Sequence, residues 1–134
     1  MALIWNNTFT VGVQEFDEHH RKLMGMLTQL SEAMRVGKGK DAVGAILTSL
    51  IAYTRSHFDA EERALSKYGY PELAAHKQEH DNLTRKVLDF QQDYAQSRVG
   101  LSIPLMTFLE NWLKDHILGT DKGYGPFLNG KGVK

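Results

Sequence analysis

The chain has 134 residues, of which 42% are hydrophobic and 24% charged, and its 16 Lys and Arg residues balance 16 Asp and Glu residues. This is the size and composition of one globular domain, and the lack of net charge or of a basic stripe argues against a nucleic-acid partner. The sequence has no cysteine, which excludes disulfides, thiolate metal sites, iron–sulfur clusters and a cysteine nucleophile.

The N-terminal stretch MALIWNNTFTVGV has neither the basic leader nor the apolar run of a signal peptide. No segment approaches the ~20 apolar residues of a membrane span. We therefore expect a soluble, cytoplasmic protein. The first sixteen residues predict an extended arm with apolar side chains available for packing, namely Trp5, Phe9, Val11 and Val13.

After this arm, prolines and Gly-rich breaks divide the chain into four helical segments, roughly Asp17–Val36, Asp41–Lys67, Pro71–Gln96 and Ser102–Leu118. Each segment carries apolar residues at alternating steps of three and four, which is typical of the seam of a helix bundle. The connections are short and favour antiparallel neighbours. The sequence therefore predicts an all-α, up-down-up-down four-helix bundle that forms one domain over residues 1–134.

Histidines lie on these seams. In the stretch HKQEH, two of them are four residues apart and so stand on one face of a helix. A lone His on an apolar face is usually a core residue bonded to a backbone carbonyl, but five would each need a separate partner. One glutamate shares their pattern, so the set on the seams is His20, His57, Glu61, His76, His80 and His116.

The topology brings these six side chains together. In an antiparallel bundle, the starts of the first and third helices and the ends of the second and fourth share one end of the core. Burying Glu61 there costs several kcal/mol unless a positive charge compensates it, and no Lys or Arg lies on the seams nearby. A metal ion supplies that charge. The donors exceed the four that one tetrahedral zinc takes, so two bridged metals use them better, and several imidazoles per six-coordinate ion point to iron.

Four stretches of the sequence carry a family resemblance: WNNTFTVGVQEFDEHHRKL, HFDAEE, HKQEH and WLKDHILGTDKGYGPFL. With them the chain resembles the hemerythrin family, most closely its single-domain bacterial form, bacteriohemerythrin. The resemblance extends from Trp5 to Leu128. The spacings His-x3-Glu, His-x3-His and His-x4-Asp are each weak signals alone and highly specific together.

The resemblance implies a di-iron centre with an oxo or hydroxo bridge and seven protein ligands: His20, His57, Glu61, His76, His80, His116 and Asp121. One iron would take the three histidines of the third and fourth helices, and the other would take His20 and His57. Glu61 and Asp121 would bridge them. The two-histidine iron would keep an open position for O2, or for azide and other small anions in the ferric form.

The same resemblance places Leu113 and Trp112 at the lining of the O2 pocket, although plain core packing accounts for both as well. We expect Phe58 and Tyr53 to help keep this pocket dry.

Two points stay ambiguous on spacing alone, and three further acidic residues are expected to lie outside the site. Helical spacing barely separates His19 from His20, and the resemblance favours His20. Asp121 follows Gly119, beyond the predicted helix, so that a solvated cap carboxylate is an equal alternative to a ligand. Glu62 is expected to be a surface charge because its side chain points ~100° away from that of Glu61 around the helix. Asp115 and Glu110 are expected to be exposed rather than ligating.

The functional hypothesis is reversible O2 binding at a non-heme di-iron centre, for oxygen storage, transport or delivery to an O2-consuming recipient protein. Neutral imidazoles donate less charge than the carboxylates of ferritin-like di-iron enzymes, which favours binding over O–O cleavage and a protein that is not an enzyme. Three alternatives stay open: an O2 or redox sensor, which usually has an attached output domain, an oxidoreductase acting on peroxide or nitric oxide, and an iron store.

Overall fold

The computed structural model describes residues 5–37, 40–95 and 103–134. A short 3-10 turn at Asn7–Phe9 precedes five helices, which are α1 (Gln14–Arg35), α2 (Lys40–Tyr68), α3 (Leu73–Ala95), α4 (Ile103–Asp115) and α5 (Lys122–Gly130). A π-helical segment of six residues, His116–Asp121, joins α4 to α5. Among the residues described, no helix combines the length and apolarity that a bilayer-spanning segment needs.

The first four helices form an antiparallel bundle in which α1 packs against α2 and α4, and α2 packs against α3. His20, near the start of α1, contacts Glu61, near the end of α2. Gln91, late in α3, donates a hydrogen bond to Thr48, early in α2. These contacts fix the directions of α1 to α3, and His116, directly after α4, meets His80 near the start of α3. The predicted up-down-up-down all-α bundle is confirmed.

The bundle core follows from the apolar seams. Along α1, buried side chains recur at steps of three and four and meet the seams of the other helices, including Leu23, Leu27, Leu30, Val43, Leu47, Met106 and Leu109. Burial of such side chains is the main stabilising term for helices of this length. At one end of the core the buried positions are occupied by His, Glu and Asp instead.

The N-terminal arm packs as expected, but the helix after it starts earlier than predicted. Phe9, Val11 and Val13 are buried. Helix α1 begins at Gln14 rather than Asp17, because the Asp17 carboxylate accepts hydrogen bonds from the Val11 N–H at 2.7 Å and the Thr10 hydroxyl at 2.5 Å. Asp17 therefore lies within the first turn and ties the arm to it.

The arm also fastens α5 to the bundle. Lys122 Nζ donates to the Thr8 carbonyl at 2.8 Å, and Asn129 Nδ2 donates to the Gly12 carbonyl at 2.9 Å. Between these bonds the two backbones touch, since a Cβ atom on Gly125 would lie 2.0 Å from the Val11 carbonyl oxygen. Glycine at this position is what lets the arm and α5 approach.

The predicted end of the fourth helix at Leu118 is wrong. The helix runs through Gly119 and continues as α5 to Gly130. The π segment bonds residue i to residue i+5 and so accommodates one extra residue per turn without ending the helix. As a result Asp121 is part of the helix and not a cap beyond it.

Candidate metal centre

Seven side chains form a buried cluster at the end of the bundle where α1 and α3 begin. Each is at most 4% exposed, and they are His20, His57, Glu61, His76, His80, His116 and Asp121. Helices α1, α2 and α3 and the π segment all contribute. The structure therefore brings together every residue predicted from the sequence as a metal ligand.

The cluster consists of two overlapping groups whose potential ligand atoms lie within 4.8 Å of one another. One group has three imidazoles, from His76, His80 and His116, and the other has two, from His20 and His57. Both groups include the same two carboxylates. In each histidine it is Nε2 that faces the interior of the cluster.

Glu61 turns one carboxylate oxygen toward each group. Its Oε1 lies 3.4 Å from Nε2 of His76 and 3.3 Å from Nε2 of His80. Its Oε2 lies 3.2 Å from Nε2 of both His20 and His57. A carboxylate in this orientation is arranged to bridge two centres of positive charge.

The two carboxylate oxygens of Asp121 also face different groups. Its Oδ1 lies 3.0 Å from Nε2 of His76 and 3.1 Å from Nε2 of His116, while its Oδ2 lies 3.1 Å from Nε2 of His20. The π segment makes this possible. In an α-helix, five residues advance the side chain by about 500°, which would leave His116 and Asp121 ~140° apart, whereas i→i+5 bonding brings them to one face.

Buried carboxylates and imidazoles shift each other's protonation strongly. Burial lowers the pKa of His20, but the adjacent carboxylates of Asp121 and Glu61 outweigh it and raise the pKa to about 9. The same balance raises the pKa of His76 to about 10. Burial raises the pKa of Glu61, but the charge of His57 and hydrogen bonds with the histidines outweigh it and hold it well below its ordinary value. Without a metal ion, protons on these imidazoles supply the positive charge that the carboxylates need.

The imidazole nitrogens and carboxylate oxygens of the cluster are arranged to bind metal ions rather than to share protons. Both Asp121 oxygens lie about one hydrogen-bond length from imidazole nitrogens, yet among the described residues neither forms a hydrogen bond with an acceptable angle. Nε2 of His80 and Nε2 of His116 are 3.1 Å apart, so at most one proton fits between two lone pairs. Imidazole nitrogens and carboxylate oxygens that converge in this way suit divalent first-row transition metals.

A second layer of polar groups orients three of the imidazoles through Nδ1. His80 donates to Glu62 Oε2 at 2.9 Å, and His116 donates to Glu79 Oε1 at 2.8 Å. Nδ1 of His57 lies 2.8 Å from Nδ1 of His19. Such partners fix the ring tautomer and adjust how strongly the opposite nitrogen donates to a metal.

Tyr124 adds a hydrogen bond to one of the cluster carboxylates. Its hydroxyl donates to Glu61 Oε2 at 2.5 Å, and the residue is fully buried. Burial and the negative charge of Glu61 raise the pKa of Tyr124 well above its ordinary value. The phenol therefore stays protonated and acts as a donor to the carboxylate.

An apolar cavity of about 50 Å³ adjoins the cluster. Its walls include Leu113, Trp112 and Phe58 together with aliphatic side chains of the first three helices. Phe58 stacks on the imidazole of His80 with ring centroids 3.7 Å apart, and Trp112 stacks on that of His116 with ring centroids 4.4 Å apart. Leu113, Trp112 and Phe58 therefore line this cavity and Tyr53 does not, while its role as an O2 pocket stays a prediction.

A family model confirms what this geometry indicates. The model of the hemerythrin HHE cation binding domain matches residues 11–128. The chain belongs to the hemerythrin family.

Two similar hemerythrin-family proteins are bacteriohemerythrins. That of Stenotrophomonas maltophilia is 34% identical over 122 residues, which cover 91% of this chain and 78% of that protein. That of Methylococcus capsulatus is 33% identical over 121 residues, which cover 90% of this chain and 92% of that protein. A solved structure of wild-type hemerythrin, 31% identical, superposes with a TM-score of 0.90 over 94% of this chain and 97% of that chain.

Within this hemerythrin fold, the structure decides between the two adjacent histidines of α1. His20 is fully buried in the cluster. The side chain of His19 is 22% exposed and reaches the cluster only through His57. The choice of His20, which helical spacing had left open, agrees with the geometry.

Three residues of the site were missed or misjudged in the sequence analysis. Glu62 was expected to be a surface charge, but it is partly buried and accepts the hydrogen bond of His80. Glu79 and Tyr124 were not singled out at all. Tyr124 lies three residues after Asp121, so a helix continued through Gly119 would have placed it on the cluster face.

Proposed function

We propose that the chain holds two iron ions in this cluster and binds O2 reversibly at one of them. The observation that supports it most is the orientation of Glu61 and Asp121, each of which presents one oxygen to a three-histidine group and the other to a two-histidine group. That arrangement suits two cations bridged by carboxylates. Membership of a family described as cation binding supports it further.

The two groups differ by one imidazole, and this difference suggests their roles. His76, His80 and His116 would fill three positions around one ion. His20 and His57 would fill two around the other and leave a position free for a small ligand. When bound, a diferrous pair supplies the electrons that reversible O2 binding requires.

The protein itself would contribute exclusion of water and protons. Leu113, Trp112 and Phe58 form an apolar wall beside the cluster, and apolar walls offer water no hydrogen-bond partners. Tyr124 and the Nδ1 partners hold the ligands in place through hydrogen bonds. A dry site with neutral imidazoles favours binding and release of O2 over its consumption, which supports a role in O2 storage, transport or delivery rather than in catalysis.

The test is metal analysis followed by optical spectra of the reduced protein under argon, then air, then argon again. We expect two irons per chain and a spectrum that appears in air and disappears when O2 is removed. Asp121→Asn should lose at least one iron, whereas Asp115→Asn, at an exposed position of the same helical stretch, should keep both.

Two results would contradict the proposal. One is a protein that carries a single zinc and no iron after expression in iron-replete medium. The other is an irreversible spectral change on first contact with air, together with steady turnover of peroxide or nitric oxide, which would indicate an oxidoreductase instead.

A further inference from the structure

The Nδ1 atoms of the cluster histidines are not supported equally. In the three-histidine group, His80 and His116 both donate to carboxylates, at 2.9 and 2.8 Å. Thr120 donates to the same Glu79 carboxylate at 3.0 Å and holds it in place. Each group also has one buried Nδ1 without a partner among the described residues, that of His76 in the three-histidine group and that of His20 in the two-histidine group. The remaining imidazole, His57, faces another imidazole, that of His19.

The geometry of this pair allows one tautomer when His57 faces a cation. The two Nδ1 atoms are 2.8 Å apart, and the rings meet edge to face with centroids 4.9 Å apart. One Nδ1 must donate and the other must accept. If the Nε2 lone pair of His57 is to face a cation in the cluster, its hydrogen is on Nδ1, and His19 is then the acceptor. The hydrogen of His19 is on Nε2, which points toward Glu15 Oε2 at 3.9 Å on the solvent side.

The chemical nature of the acceptor matters as much as its position. A carboxylate that accepts the Nδ1 hydrogen draws the proton away and makes the opposite nitrogen a stronger donor to a metal. A neutral imidazole does this less, because it carries no charge. The two groups of the cluster therefore differ in donor strength as well as in the number of imidazoles.

We propose that His19 is a positioning residue for the two-histidine half of the centre: it accepts the Nδ1 hydrogen of His57, turns the Nε2 lone pair of His57 into the cluster, and keeps His57 a weaker donor than the carboxylate-backed His80 and His116. This inference rests on the proposed function for the presence of two ions. It implies that the ion beside His20 and His57 is released first. It also implies that this ion favours its reduced state more than a carboxylate-backed ion would.

The experiment compares three replacements of His19 in the iron-loaded, full-length protein. His19→Glu introduces a charged acceptor, His19→Gln keeps a neutral acceptor oxygen, and His19→Ala removes the acceptor. Glu15→Gln serves as the control, since it alters the other side of the His19 ring and leaves Nδ1 free to accept. The first readout is the rate at which a chelator specific for Fe(II) removes the first and the second iron. The second is the midpoint potential of the diferric/diferrous couple.

We expect release of the first iron to be about 10-fold faster in His19→Ala and about 10-fold slower in His19→Glu, within the range of such second-layer effects. The second iron should leave at an unchanged rate. His19→Glu should lower the midpoint potential, while His19→Gln and Glu15→Gln should stay close to wild type. Rescue by Gln separates a role in hydrogen bonding from simple packing.

Equal first-iron release rates and equal potentials in all variants would overturn the inference and leave His19 as ordinary helix packing. That failure is distinct from a failure of the proposed function. If graded release is observed in a protein whose spectrum does not reverse under argon, then His19 positions His57 but the centre does not carry O2.

Discussion

At the scale of single residues, Glu61 and Asp121 account for most of the electrostatics of the centre. Both are fully buried and negatively charged, and the surrounding imidazoles must either hold protons or face cations to balance them. Protons and metal ions therefore compete for the same Nε2 atoms. The balance between them depends on pH.

Without metal ions, only protons balance the buried carboxylates, so the metal-free protein should lose stability at alkaline pH. The pKa of His20 rises from 6.5 to about 9 on folding, and that of His76 to about 10. A pKa raised on folding contributes stability that is complete below the unfolded value and is lost as the pH passes the folded one. We expect the free energy of unfolding of the chelator-treated protein to fall as pH rises from 6.5 toward 10, as measured by urea titration.

The iron-loaded protein is the control, because its Nε2 atoms would face cations and would have no protons to lose. Its stability should vary much less over the same range. In acid the sign is reversed for both forms: the pKa values of Glu61 and Asp121 are depressed on folding, so the stability they contribute is lost as pH falls below the ordinary range of carboxylates. A metal-free protein equally stable at pH 6.5 and pH 10 would refute the balance of charges inferred here.

Tyr124→Phe tests the hydrogen bond beneath Glu61. The substitution removes a donor to a buried carboxylate and leaves no new unpaired group, so the metal-free protein should lose about 1.5–3 kcal/mol of stability. Iron content should stay at two per chain. Tyr68→Phe, at a half-buried position beside Lys67, should change stability by less than about 0.5 kcal/mol. Similar losses in both variants would show that the Tyr124 hydroxyl contributes nothing specific.

Sequence periodicity could predict the imidazoles and Glu61 because they occupy seam positions, whose direction a regular helix fixes. It could not separate His19 from His20, since neighbouring residues differ by only ~100° and both lie near the stripe. It also missed Glu79, whose role depends on a side chain from a different helix. Contacts made off the seam leave no periodic signal.

At the scale of elements, the π segment is the feature that could not be predicted from the sequence. Gly119 is a typical helix stop, and five-residue spacing does not place His116 and Asp121 on one α-helical face. The structure resolves both difficulties with a single local change in hydrogen bonding. The family resemblance supplied Asp121, whereas helix rules alone left a solvated cap carboxylate and a ligand as equal alternatives.

The contact between the arm and α5 leads to a prediction for Gly125. Gly125→Ala would place Cβ 2.0 Å from the Val11 carbonyl oxygen, and since backbone cannot move as a side chain can, the arm must shift. We expect a loss of about 1–3 kcal/mol, as for other overpacked sites, together with weaker iron retention. The measurements are urea unfolding and iron analysis.

Gly130→Ala is the matched control on the same helix, because nothing lies within 4 Å of its added Cβ. It should be neutral, or stabilising by up to about 1 kcal/mol. If Gly125→Ala behaves like Gly130→Ala, the arm is not held as closely against α5 as the structure indicates.

At the scale of the whole molecule, the cavity is a joint product of four helices, and Leu113 is the wall residue most readily tested. Leu113→Ala should enlarge the cavity and cost about 2–5 kcal/mol. The wider space should admit water and protons, so the reduced iron protein should oxidise faster in air. Stopped-flow absorbance at one pH measures this rate.

Leu30→Ala provides the comparison for Leu113→Ala. Leu30 is fully buried in α1 but does not line the cavity, so its truncation should cost similar stability without changing the oxidation rate. Equal oxidation rates in the two variants, at equal iron content, would assign the protection of the site to another residue.

The fastening of α5 by the arm also bears on the order in which the chain folds. Its hydrogen bonds join residues 114 and 117 positions apart, whereas His20 and His76 reach Glu61 across 41 and 15 positions. Closing a longer loop costs more chain entropy and slows folding. We therefore expect the contacts of Glu61 with His20 and His76 to form before the arm closes against α5. On this expectation, closure of the arm against α5 is the last step that encloses the cluster.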